Sequence, residues 1–304
     1  MARAPKTLSF MGTQKAASPK GYAAALFGAP HGTAYKSISN LPFAAAPDAL
    51  RRALKDDAGF LDSWDFDLGH PLLQHGLLVA DLGNLKTSPK SAARNRAMIE
   101  KTTRNIVEAG AVPLMIGGDD STPIPFLAGF AGGPAITILQ IDAHIDWRQD
   151  RYGEPLGFSS TMRRASEMAH VWRIVQAGAH GIGTARAPEV TDALQWGARL
   201  VTAKDIHANG ATAVLAHIPE DADCVICLDV DAIDLSQMPA VAYPTPGGLT
   251  YTQIVELIAG VAEKARIAGF SLVEFVPRKD RDGLAAFLAA RLLCNVIGRL
   301  KPIE

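Results

Sequence analysis

Short apolar runs alternate with longer amphipathic stretches along most of the chain. The runs are Tyr22–Gly28, Gly76–Leu82, Val112–Ile116, Ala135–Ile141, Arg173–Ala177, Ala198–Val201, Cys224–Leu228 and Gly269–Val276. Their compact apolarity is that of buried strands. Helical patterns separate most of them, among them Ser91–Ala109, with its charges on one face, Tyr251–Ala268 and Asp282–Gly298. Such strand–helix alternation predicts an α/β protein: a mainly parallel central sheet with helices on both faces.

With 304 residues and 48% hydrophobic content the chain can build one large core. No linker, low-complexity stretch or internal repeat divides it, so a single domain over 1–304 is expected, with 1–20 a loosely ordered segment. That segment lacks an apolar signal-type region. Gly283–Leu300 is interrupted by Arg291 and Asn295 and is too short and polar to cross a membrane. It reads as a buried or oligomer-facing helix. Lys+Arg 30 against Asp+Glu 31 gives a net charge of -1, which argues against nucleic acid or an anionic membrane as the main partner. Cys224 and Cys227 form a C-x-x-C pair within a strand-like run, where positions i and i+3 face opposite ways. They are expected in the core, in keeping with a reducing cytoplasm.

In an open parallel sheet, ligands bind beyond the carboxyl ends of the strands. The chemistry-bearing strings of this chain lie there. Asp142-Ala-His144-Ile-Asp146 follows one run, Asp229-Val-Asp231 with Asp234 follows another, and Gly117-Gly118-Asp119-Asp120-Ser121 follows a third. Glu274 lies within the run that ends in Val276. Extended backbone would place Asp142, His144 and Asp146 on one face, and Asp229 with Asp231 on a facing one. A single aspartate there could equally cap a turn. Two such strings at two strand ends point instead to a metal site of oxygens and one nitrogen. That donor set suits Mn²⁺ and tolerates Ni²⁺, Fe²⁺ or Zn²⁺. Two such ions, about 3.5–4 Å apart, can activate a shared water.

These strings resemble the signatures of the ureohydrolase family, which includes arginases, agmatinases and related guanidino-compound hydrolases. The family patterns G-G-D-H-S, D-A-H-x-D and S-x-D-x-D-x-x-D have as counterparts here Gly117-Gly-Asp-Asp-Ser121, Asp142-Ala-His-Ile-Asp146 and Cys227-Leu-Asp-Val-Asp-Ala-Ile-Asp234. Pro246–Thr250 and Val273–Pro277 also look like family segments. Tyr152-Gly-Glu-Pro155 followed by Thr161–Ala165 is most similar to the agmatinase branch. The resemblance implies a three-layer α/β/α arginase-type fold, two divalent ions (Mn or Ni), and hydrolysis of a guanidinium to urea and an amine by a metal-bridging hydroxide. It further implies one metal held by Asp142, Asp146 and Asp229, with Asp120 at the family histidine position. The other metal would be held by His144, Asp142, Asp229 and Asp231. Asp146 would orient the hydroxide, and Glu274 would meet the guanidinium.

The chain departs from the family at its site. Asp120 stands where the family has histidine and adds a fifth carboxylate, which should weaken activation of bound water. Phe158 matches a family histidine that can transfer protons. Met238–Tyr243 replaces a glycine-rich loop, and the N-terminal family loop has no match around Ser37–Ala46. His31 is a candidate replacement proton shuttle, although a solvent-facing loop histidine is the simpler reading. His180 carries no assigned chemistry. Two expectations follow. One is an amidinohydrolase whose pocket, narrowed by Phe158 and Tyr243, suits alkylated guanidines or biguanides better than agmatine or a zwitterionic amino acid. The other is a structural or regulatory subunit supporting an active paralogue, as in nickel-dependent metformin hydrolases built from two unlike subunits. Homo- or hetero-oligomers, trimers or hexamers, are implied by the family.

Overall fold

A computed structural model describes residues 8–73 and 76–301. Strands β1 (Gln14–Lys15) and β2 (Ala24–Ala29) precede helix α1 (Ala46–Ala53), a small antiparallel pair β3 (Trp64–Asp65) and β4 (His70–Pro71), and β5 (Val79–Asn84). Then come α2 (Ala92–Glu108), β6 (Val112–Gly117), α3 (Pro123–Ala128), β7 (Ile136–Ile141), α4 (Thr161–Ala165) and β8 (Val171–Ala179). The chain continues through α5 (Ala187–Trp196), β9 (Arg199–Thr202), α6 (Ala203–Asn209), α7 (Thr212–Leu215) and β10 (Asp223–Asp229). It finishes with α8 (Tyr251–Lys264), β11 (Arg266–Val273) and α9 (Leu284–Ile297).

Nine of these strands form one sheet in the order β1-β5-β2-β6-β11-β10-β7-β8-β9, and every pairing in it is parallel. Parallel strands need crossovers, and the helices supplying them cover both faces. Successive side chains therefore feed two apolar layers. Leu26, Leu114, Ile226 and Phe270 enter the layer shared with α1, α8 and α9. Phe27, Met115, Ile138 and Val225 enter the layer shared with α2 and α3. Both faces being buried is the reason the strands read as continuous apolar runs. Cys224 joins the first layer and Cys227 the second; both are buried free thiols, as their spacing predicts.

Several boundaries differ from the sequence reading, each for a local reason. β11 ends at Val273 rather than Val276, because Glu274 adopts φ 66, outside the strand region. The helix expected to reach Ala268 ends at Lys264. Ala265 turns extended, and Arg266 begins β11 opposite Asp223. Of the segment expected to be loosely ordered, residues 1–7 lie outside the described residues, but the rest is tied down. Phe10 is buried and its amide donates to Asp81 Oδ2 at 3.0 Å, while Gln14–Lys15 pairs with β5. Asp81 also binds Arg51 in a buried ion pair at 2.8 Å. The late apolar stretch is a largely buried helix, α9, and no helix among the described residues is long and apolar enough to cross a membrane.

Candidate metal centre

The carboxyl ends of β6, β11, β10 and β7 are neighbours in the sheet, and each delivers one of the strings. β6 ends in Gly117 and Gly118. A Cβ on Gly118 would lie 2.5 Å from the Pro30 carbonyl oxygen, so only glycine lets the loop carrying Asp120 pass this close to the neighbouring segment. The Asp120 amide then donates to Glu274 Oε1 at 2.9 Å, and the Glu274 amide donates to the Gly118 carbonyl at 2.9 Å. These two bonds lock the β6 and β11 ends together and hold Glu274 in its left-handed conformation.

The convergence of the other ligands has a different origin from the one expected. β7 stops at Ile141, and Asp142–Asp146 is a loop rather than extended strand. Asp146 takes φ 45, and its carbonyl accepts from the amides of Met162 and Arg163 at 3.1 Å each, at the start of α4. Likewise Asp231 lies in a 3₁₀ turn, Val230–Ala232. The aspartates serve as turn-formers and as candidate ligands together. The His144 amide donates to Asp142 Oδ1 at 2.6 Å, the Asp231 amide to Asp229 Oδ1 at 2.8 Å, and the Ala143 amide to Asp231 Oδ1 at 3.2 Å. Backbone held in left-handed positions costs on the order of 1–3 kcal/mol and gathers at functional sites.

Two groups of potential ligands result. Asp142, His144 and Asp231 bring ligand atoms within 4.8 Å of one another, as do Asp120, Asp142 and Asp229. Asp142 belongs to both. His144 Nδ1 lies 3.1 Å from Asp231 Oδ2 and 3.3 Å from Asp142 Oδ1. Asp229 falls with Asp120 and not with His144. Asp146 falls outside both groups, although it lines the same cavity.

Electrostatics accord with a cation site. Burial and then the charge of Asp142 push Asp120 well above the usual carboxylate range, and Asp229 is raised by burial, Asp231 and Asp142. Burial, then Asp142 and Asp120, raise Asp146; burial and Asp119 raise Glu274. Burial alone would lower His144, but Asp142 and Asp231 more than reverse this and carry it up to about 12. Burial opposes ionisation of Asp231 as well, and the bond and charge of His144 outweigh it, so this carboxyl is lowered. Asp120 Oδ2 is buried with no hydrogen-bond partner among the described residues, a costly state for an acceptor. An orphaned oxygen beside two ligand triads, in a set of carboxylates and one imidazole, fits a pair of divalent ions.

Behind the ligands runs a polar layer that the sequence reading missed. Gln140 Nε2 donates to Asp142 Oδ2 at 2.7 Å and to Asp146 Oδ2 at 2.9 Å. Gln176, opposite Gln140 in the β7–β8 register, donates to Gln140 Oε1 and, at 2.7 Å, to the Ile145 carbonyl. The available signal was one glutamine inside each of two largely apolar strands. Groups that orient ligands tune metal affinity. Gln140→Leu is therefore expected to weaken Mn²⁺ binding on the order of tenfold, measured by calorimetric titration; unchanged affinity would deny Gln140 this role.

The triads open into a cavity of about 230 Å³, lined also by Glu274, Asp146, Trp147, Phe158 and Tyr243. Phe158 and Tyr243 thus stand where the sequence reading put them, but Arg148, Arg151 and Glu189 share the lining, so the pocket is less apolar than expected. His31 is not among the lining residues; its Nδ1 sits 3.0 Å from Thr87 Oγ1. His180 Nδ1 sits 2.7 Å from the Gly178 carbonyl, at a turn. The segment replacing the glycine-rich loop is packed inward at Met238, Ala240 and Val241, and Lys279 Nζ donates to the Val241 carbonyl at 2.7 Å.

The chain is similar to known proteins over nearly its whole length. The model of the arginase family matches residues 22–298. The human mitochondrial guanidino acid hydrolase is 30% identical over 310 residues, spanning 100% of this chain and 85% of that protein. The mitochondrial agmatinase of Gallus gallus is 31% identical over 239 residues, 75% of this chain and 68% of its own length. The solved proclavaminate amidino hydrolase of Streptomyces clavuligerus has the same fold, with a TM-score of 0.84 at 23% identity over 99% of both chains. With its nine-stranded parallel sheet and its Asp/His cluster at the strand ends, the chain belongs to the arginase family of ureohydrolases.

Proposed function

We propose that this chain is a metal-dependent amidinohydrolase that converts a linear guanidino compound to urea and an amine. The observation that carries the reading is the pair of ligand triads sharing Asp142 within a cavity that Glu274 also lines. Asp120, Asp142 and Asp229 would hold one divalent ion, and Asp142, His144 and Asp231 the other. Bound there, Mn²⁺ or Ni²⁺ would supply the Lewis acidity that activates water for attack on the guanidinium carbon.

The chain's own groups do the rest. Glu274, fixed by the Asp120 amide, accepts N–H bonds from the planar guanidinium and orients its carbon toward the triads. Asp146, anchored by Gln140 and outside both triads, is left to hold the proton removed from water. Phe158 holds no proton, so the side of the cavity where the family carries a histidine only shapes the substrate. The buried free thiols suit a reducing cytoplasm. Exposed Phe60, Trp64 and Phe66 beside Phe287 support self-association, which in this family would give trimers or hexamers.

The test is direct. The full chain, loaded with Mn²⁺ or Ni²⁺ and its ion content counted, is incubated with a panel of alkylguanidines, ω-guanidino acids, agmatine and biguanides. Stoichiometric release of urea and amine is expected from at least one of them. Two ions per chain with no urea from any member would overturn the reading.

A further inference from the structure

The cavity carries a cation that no acid answers among the described residues. Arg148 and Arg151 both line it. Arg148 Nε lies 3.4 Å from Glu189 Oε1, an oxygen that Arg186 Nε approaches at 3.0 Å. The guanidinium of Arg151 makes no ion pair or side-chain hydrogen bond with the described residues and is enclosed by aromatic rings instead. It lies 5.5 Å from the centroid of Tyr35, 5.3 Å from Tyr152 and 5.7 Å from Phe158. Rings hold a cation through their quadrupole without cancelling its charge.

The enclosure is built in advance. Arg151 and Glu154 exchange backbone hydrogen bonds of 3.2 and 3.1 Å around a two-residue turn, with Tyr152 at φ 56 and Gly153 at φ 78. Positive φ at both central positions is the tight hairpin geometry that fixes the flanking residues. Tyr35 packs against Phe158 at 4.7 Å and against Tyr152 at 6.2 Å, and its hydroxyl accepts from the Ser159 amide at 2.9 Å. Any Cβ at position 157 would collide with the Tyr35 ring, so Gly157 makes room for the cage. Phe158, which lost the proton chemistry of the family histidine, gained a place in this cage.

The cavity lining therefore carries two unlike kinds of group. One is a cluster of buried carboxylates suited to a guanidinium. The other is the Arg151 guanidinium, a preorganised fork of the shape that pairs bidentately with a carboxylate. We propose that Arg151 is a specificity-determining residue that receives an anionic group on the substrate's tail, so that the chain selects guanidino acids over guanidines with neutral or cationic tails. The inference rests on the hydrolase reading above for the orientation of the substrate.

Binding calorimetry at low salt, on the metal-loaded full chain, separates the two. Guanidinoacetate, 3-guanidinopropionate and 4-guanidinobutyrate are compared with ethyl-, propyl- and butylguanidine, and agmatine with butylguanidine. At least one acid is expected to bind tenfold or more tightly than its neutral counterpart, and agmatine more weakly than butylguanidine. In Arg151→Met the acid-to-neutral affinity ratio should fall at least tenfold, and Arg151→Lys should restore part of it. The proposal is overturned if no acid exceeds its neutral counterpart, or if Arg151→Met keeps the ratio. Urea release is measured alongside. An intact ratio without urea rejects the hydrolase reading and leaves the anion subsite standing; urea from every guanidine without preference rejects the subsite alone.

Discussion

Asp142→Asn should remove both ions at once and cut kcat/KM for urea release by a factor on the order of 10³ or more, since metal activation of this kind is worth several kcal/mol. The reason is geometric: Asp142 is the one residue common to the two ligand triads. Metal analysis should fall from two ions per chain to fewer than one. Stability supplies a separate readout. Burial and the charge of Asp231 raise the Asp142 carboxyl, so its ionised form is opposed by the folded surroundings. Neutralising it should leave the metal-free chain as stable as the unaltered one or more so in thermal unfolding, while the gain in stability from added Mn²⁺ largely disappears. A variant that keeps two ions and urea release within tenfold of normal would show that Asp142 does not bridge the site.

Glu274→Gln is the second large effect. A charge-assisted hydrogen bond is worth about 1.5–3 kcal/mol, so kcat/KM should drop roughly 10- to 150-fold. The amide oxygen can still accept from the Asp120 amide, as Glu274 Oε1 does at 2.9 Å, so the loop after β6 should stay tied to the end of β11 and metal content should not change. Loss of metal together with activity would instead mean that Glu274 acts by holding the Asp120 loop.

Much of this architecture was legible in the residues because burial on both faces leaves a strong trace. β6, β7 and β10 announce themselves as largely apolar runs followed by acidic strings. β1, β3 and β4 left none: each is two residues long, with no room for a pattern. At the site, the identities of Asp142, His144, Asp229 and Asp231 could be read, but the reason they converge could not. Strand alternation suggested it; turns made by the aspartates' own side chains produce it, and periodicity does not report such turns. The grouping of Asp229 with Asp120, the support from Gln140 and Gln176, and the Arg151 cage all depend on register between segments distant in sequence. A single chain read in order does not display them.

The strand order also sets when the site can exist. β10 and β11, from the last third of the chain, sit between β6 and β7, which are synthesised earlier. Until Asp223–Asp229 and Arg266–Val273 have left the ribosome, β6 and β7 have no strand between them, and each exposes an unpaired edge open to wrong partners. Asp229 and Asp231 arrive with β10, so before then a nascent chain carries three of the five triad residues and can form neither complete triad. Ion capture by both triads would therefore have to wait for the late strands, which makes the centre of the sheet the last part of the site to be completed.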